Sequence, residues 1–203
     1  PWVPDRPTLP RLRAAVQECE GCELHENATQ GVMGDGDPDA ELVLLGEQPG
    51  DKEDQAGEPF VGPAGQLLDE ALADAGIAPE SVFRTNVVKH FRWSGMRGKR
   101  RIHQSPHQRH VAACRPWLEA ELQLLRPRGV VLLGGTAGKA LLGPSFKVGE
   151  SRGKRLPWPT SVEVEHPPEW VLPTTHPAAV LRAGAGRRAA YDALVADLRR
   201  ALD

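Results

Sequence analysis

The stretch LVLLGEQPGDKEDQAGEPFVGPAGQLLDEALADAGI, residues 42–77, passes from a short apolar run through a loop rich in glycine, proline and acid into an amphipathic helical pattern. LVLLG lacks the alternation of a half-exposed strand, so it reads as a strand covered on both faces, the condition of a parallel sheet. In the second half, Leu67, Leu68, Ala71, Leu72 and Ala75 fall on one helical face, and Gly76 supplies a stop. Three further runs have the same strand character: VFRTNVV (82–88), GVVLLGG (129–135) and WVLPTTH (170–176). Helical patterns follow at SPHQRHVAACRPWLEAELQLL (105–125), with Ser105 as N-cap and Pro106 at the first helical position, and at RRAAYDALVADLRRAL (187–202). This order of elements predicts a three-layer α/β/α sandwich with a central four-stranded parallel sheet. Ligands of such sheets sit beyond the carboxyl ends of the strands, which says where to look for a site.

The chain has 203 residues, 40% of them hydrophobic and 26% charged, a composition expected of one globular domain spanning residues 1–203. No apolar run approaches the ~18 residues of a membrane span, and PWVPDRPTLP at the start lacks the basic-then-apolar layout of a signal peptide. A cytoplasmic monomer without membrane contact is the expectation. The net charge of −2 averages over a polarised distribution: residues 81–118 hold nine Lys or Arg and no carboxylate, whereas residues 35–80 hold thirteen acids and one Lys. With Phe91, Trp93 and four of the seven histidines interleaved, the basic segment reads as a phosphate-binding face.

Three cysteines, Cys19, Cys22 and Cys114, are an odd number for a disulfide framework, and Cys19-Glu-Gly-Cys22 has the spacing that lets two thiolates share a metal ion. The glycine-rich loop after the first strand fits neither the phosphate-loop nor the dinucleotide pattern, and GGTAGKA (134–140) reads as a tight strand-to-helix turn. The first loop instead offers Glu47, Asp51, Asp54 and Phe60 beyond a strand end, groups able to stabilise positive charge and to stack on a ring. Asn86, His90 and His176 also fall near strand ends. Asn86 carries a donor and an acceptor in one plane, which suits a base edge, and His176 is held extended by the following proline.

GEQPGDKEDQAGEPFVGPAG, TNVVKH and THPAAVLR resemble, in that order, the blocks of the uracil-DNA glycosylase superfamily, in its iron-sulfur, family 4-like branch. KRRIHQ (99–104) resembles the extra loop of the UdgX-type members, and the likeness runs from Cys19 to about Arg182. The branch commonly has a fourth Cys directly after the Lys of the NVVK block; here that position is His90, as in the UdgX type. The resemblance thus implies Cys19, Cys22, His90 and Cys114 around a [4Fe-4S] cluster tying the N-terminal segment to the basic loop. Spacing alone leaves a Cys3His zinc site equally open. Ordinary members read GEAPG where this chain has GEQPG, a second departure toward the UdgX type.

The resemblance implies that uracil-containing DNA, single-stranded or duplex, is the partner and that the base is flipped into a pocket. Phe60 would stack on uracil, Asn86 would read its edge, and Gln48 would contribute a backbone contact. His176 would donate to uracil O2, and Glu47 would face the sugar. Asp51 would lie in the substrate loop, Lys99 to Arg101 would contact DNA, and Leu181 and Arg182 would press on the strand from the minor groove. His103, in the middle of the basic loop, would capture the sugar C1′ and leave a persistent protein-DNA adduct. A hydrolytic glycosylase without capture, and a metal-bearing DNA-binding module without chemistry, are the competing expectations.

Overall fold

A computed structural model describes residues 2–203. The strands are β1 (Asp35–Gly36), β2 (Leu42–Gly46), β3 (Val82–Asn86), β4 (Trp93–Arg97), β5 (Arg100–His103), β6 (Gly129–Leu133), β7 (Leu156–Pro157) and β8 (Trp170–Thr174). The α-helices are α1 (Leu9–Ala15), α2 (Asp51–Ala56), α3 (Pro63–Ala75), α4 (Gln108–Leu125), α5 (Gly135–Leu142), α6 (Val148–Ser151), α7 (Pro177–Leu181) and α8 (Arg187–Arg199). The main sheet has the order β1-β3-β2-β6-β8-β7. Its four inner strands are parallel, as their apolar character without clear alternation predicts. The two outer strands, β1 and β7, are two-residue antiparallel additions, too short to show a pattern in the sequence.

The absence of alternation has a direct structural cause. Val43, Leu45, Val130 and Leu132 join the core shared with Val111, Leu118 and Leu122 of α4. Leu44, Val131, Leu133 and Leu172 join Leu67, Leu68 and Leu72 of α3 and Leu194 and Leu198 of α8. Each strand therefore buries both faces. A third cluster, Leu12, Val16, Cys19, Met33 and Trp117, packs the N-terminal segment against α4.

Helix α4 begins at Gln108, not at Pro106. Its cap is His107, whose backbone N–H donates to His110 Nδ1 at 3.0 Å, while the carbonyl of Ser105 is taken by Arg92. His110 is fully buried and its Nε2 lies 2.8 Å from Glu23, so it fastens the N-terminal segment and is not a surface residue.

Chain order and sheet order diverge at β2: β3 lies on one side of it and β6 on the other. That switch point opens a crevice at the carboxyl ends of β2 and β6, where ligands of doubly wound sheets bind. The segment between β3 and α4 forms a separate antiparallel hairpin, β4–β5, turning at Gly98 with φ +62°.

Candidate active site

Phe60, Asn86, Glu47, His176 and His103 gather around the crevice. Gly46 closes β2 under the first two: a Cβ there would meet Asn86 Oδ1 at 2.4 Å and Phe60 Cζ at 2.7 Å, so glycine lets both side chains lie over the strand end. Phe60 adopts φ +59°, the left-handed region that a bulky residue enters only under constraint, and this turn aims its ring across the pocket toward His176, centroids 6.5 Å apart. The Asn86 side-chain amide has no protein hydrogen bond among the described residues, although the residue is buried.

Asn86 is fixed from behind. Lys89, wholly buried, donates to Asn86 O at 2.7 Å, to Thr85 Oγ1 at 2.8 Å and to Glu121 Oε2 at 2.7 Å. Glu121, equally buried, also accepts from Thr85 Oγ1 and from the Gly34 N–H, each at 2.7 Å. Every proton of the ammonium and both carboxylate oxygens are used, the condition under which a buried ion pair is tolerated.

His176 caps α7. The Ala178 N–H donates to its Nδ1 at 3.1 Å, which leaves Nε2 as the protonated nitrogen. Burial pushes this imidazole down to about 4, against the opposing pull of Glu47. It is thus a neutral N–H donor at neutral pH. Burial opposes charge on Glu47 too, but hydrogen bonds from His103 and Thr136 and the nearby His176 outweigh it, so its carboxyl lies below the usual range.

The hairpin carries His103 to this carboxylate: Nε2 lies 3.3 Å from Glu47 Oε1, and 46% of the side chain remains exposed to an incoming ligand. Three devices hold the hairpin. Gln48 Nε2 donates to the carbonyls of Arg92 and Gln104 at 3.0 and 3.2 Å, and its Oε1 accepts from the Arg92 N–H at 3.3 Å. Arg101 reaches α2, with Nε 2.6 Å from Asp51 Oδ1 and Nη1 2.7 Å from Asp54 Oδ2. Its guanidinium also lies over Phe91 and Trp93, 5.2 and 5.6 Å from the ring centroids.

Several expected roles shift with this geometry. Arg101 is paired with Asp51 and Asp54, whereas Arg97, Lys99 and Arg100 at the hairpin tip are exposed cations. Of the three loop acids, Glu47 meets His103, whereas Asp51 and Asp54 are paired with Arg101. Leu181 packs partly against the α3/α8 core, whereas Arg182 is exposed. Gln48 holds the hairpin with its side chain, a role its sequence context did not indicate. Thr136, in the loop read as a plain turn, donates its hydroxyl to Glu47 Oε2. No pattern in GGTAGKA marks it.

A family model of the uracil DNA glycosylase superfamily matches residues 33–199. The chain belongs to this superfamily. The Type-4 uracil-DNA glycosylase of Pyrobaculum aerophilum is 37% identical over 182 residues, covering 86% of this chain and 85% of that protein. That of Thermotoga maritima is 36% identical over 168 residues, 82% and 80% of the two chains. That of Sulfurisphaera tokodaii is 33% identical over 179 residues, 86% and 76%.

In this superfamily member the expected metal donors fall into two pairs, Cys22 with Cys114 and Cys19 with His90. Cys22 and Cys114 interact with each other, which draws the Cys22 thiol down to about 6 and pushes Cys114 up. The Lys89 backbone approaches Cys114, and the next residue, His90, is kept neutral by burial, pushed down to about 4. Cys19 and His90 line one cavity of about 150 Å³, with His25 beside them. No three ligands close on a common point among the described residues. The donor chemistry, three thiols and an uncharged imidazole, nonetheless fits a thiophilic centre.

Proposed function

We propose that this chain excises uracil from DNA and captures the resulting sugar through His103. The observation that carries the reading is the placement of His103 beside Glu47, at the mouth of a pocket lined by Phe60, Asn86 and His176. Phe60 offers a stacking face and the Asn86 amide a donor and acceptor for the uracil edge. Gln48 supports the pocket from the hairpin side through its hydrogen bonds to Arg92 and Gln104.

As the C1′–N1 bond breaks, its electron pair leaves with uracil and positive charge develops on the sugar. The His176 Nε2–H donates to the oxygen where the anion forms, and ionised Glu47 faces the cation, opposite charges met by fixed groups. In the tautomer that donates Nε2–H to Glu47, the Nδ1 lone pair of His103 forms the bond to C1′. The Nε2 proton then passes to Glu47, leaving an uncharged alkylimidazole, a poor leaving group. A tethered nucleophile has an effective concentration of up to ~10⁵ M or more in well-oriented systems, far above that of water.

Cys19, Cys22, His90 and Cys114 would hold a [4Fe-4S] cluster, which supplies a structural tie between the N-terminal segment and the NVVK turn. Lys99, Arg100 and Arg182 supply exposed cations for the phosphate backbone. A hydrolytic reading has support in the naming of the relatives as Type-4 uracil-DNA glycosylases. Incubation with a uracil-containing oligonucleotide, followed by a denaturing gel, separates the two: capture gives a slow protein-DNA band, whereas hydrolysis gives repeated uracil release with no such band.

A further inference from the structure

We propose that Thr136 is a positioning residue of the reaction, its hydroxyl holding Glu47 across the crevice so that the free carboxylate oxygen faces His103. The inference rests on the proposed roles of Glu47 and His103. Glu47 lies on the loop leaving β2 and Thr136 in the first turn of α5, directly after β6. These are the neighbouring strands at the switch point, so the bond from Thr136 Oγ1 to Glu47 Oε2 spans the floor of the site.

Few other groups constrain this carboxylate. Its backbone carbonyl is fixed by the Val88 N–H at 3.0 Å, but among the described residues the side chain is engaged only by Thr136 on one oxygen and His103 on the other. Without the hydroxyl, Oε2 loses its only neutral donor and the side chain regains rotamers that turn Oε1 from the imidazole. Threonine suits the task, since its branched Cβ restricts χ1 within a helix. The charged or titratable groups facing Glu47 are His103 from β5 and His176 from the start of α7; α5 contributes only the uncharged hydroxyl. Removing it therefore takes away a donor that favours the ionised acid, and the acid should protonate at higher pH.

The test compares Thr136→Val, nearly isosteric without the donor, with Thr136→Ser, which retains it. In single-turnover reactions on a uracil-containing oligonucleotide, Val should slow sugar capture by ~10–100-fold, the scale of a hydrogen bond to a charged group. Its acid limb should move up by about one pH unit, and Ser should restore both. Carbon-13 NMR titration of the Glu47 carboxyl, assigned by its absence in Glu47→Gln, reads the same interaction without DNA. An upward shift in Val but not Ser supports the proposal even if the wild type proves inert toward uracil, which would sink only the functional reading. An unchanged Glu47 titration in Thr136→Val, with a wild-type thermal midpoint, overturns the proposal.

Discussion

Replacing Gln48 by Ala tests how the hairpin is held. The substitution removes three hydrogen bonds, to Arg92 O, Gln104 O and the Arg92 N–H, from a residue that is 7% exposed. A net contribution of ~0.5–1.5 kcal/mol each, reduced where water reaches the freed groups, gives a loss of about 1.5–3 kcal/mol from the docked hairpin. Because every 1.4 kcal/mol is a factor of ten, the fraction with His103 against Glu47 falls by up to ~10–100-fold. Single-turnover reactions should show sugar capture slowed on that scale, while release of radiolabelled uracil stays within about threefold, since Phe60, Asn86 and His176 are untouched. Gln48→Met, similar in length but without the amide, should behave like Ala. Capture at the wild-type rate in both variants would refute the claim that this amide positions His103.

Glu121→Gln keeps the shape of the buried network but strands the Lys89 charge, and urea unfolding should show a loss of ~3–5 kcal/mol. Pairing Glu121→Leu with Lys89→Met should recover much of it; a single-variant loss below about 1 kcal/mol would mean that the pair is not held as described. Uracil release should be flat between about pH 8 and about pH 6, because His176 titrates near 4 and Glu47 below the usual carboxylate range. The depressed His176 value also gives the stability trend its sign: the unfolded chain takes up this proton first, so stability falls as pH drops from about 6.5 toward 4. Purified protein should contain iron and absorb in the visible, and Cys114→Ser should lose both; zinc with no visible band would replace the cluster by a Cys3His site.

The parallel strands were legible because they bury both faces, which leaves an unbroken apolar run in β2 and β6 and shorter ones in β3 and β8. β1 and β7 were not, since two residues carry no period. Pocket residues that end strands, Asn86 and His176, could be found from position and chemistry together. Residues that act on other side chains left weaker traces. Arg101 read as one more cation in a basic run, although two acids some fifty positions away, Asp51 and Asp54, claim it. Thr136 sits in an ordinary strand-to-helix turn, and its partner Glu47 is brought to it only by the pairing of β2 with β6. Nothing in the sequence marked His110 as buried, because the N-terminal segment that covers it is distant in sequence.

Peptide mapping of the protein-DNA product tests the central claim most directly. After nuclease and trypsin digestion, the deoxyribose mass should appear on the peptide Ile102–Arg109, with fragmentation placing it on His103 rather than His107. The same peptide from His103→Ser should be unmodified while uracil is still released. A sugar adduct on any other residue, or complete uracil release with an unmodified His103, would contradict the account.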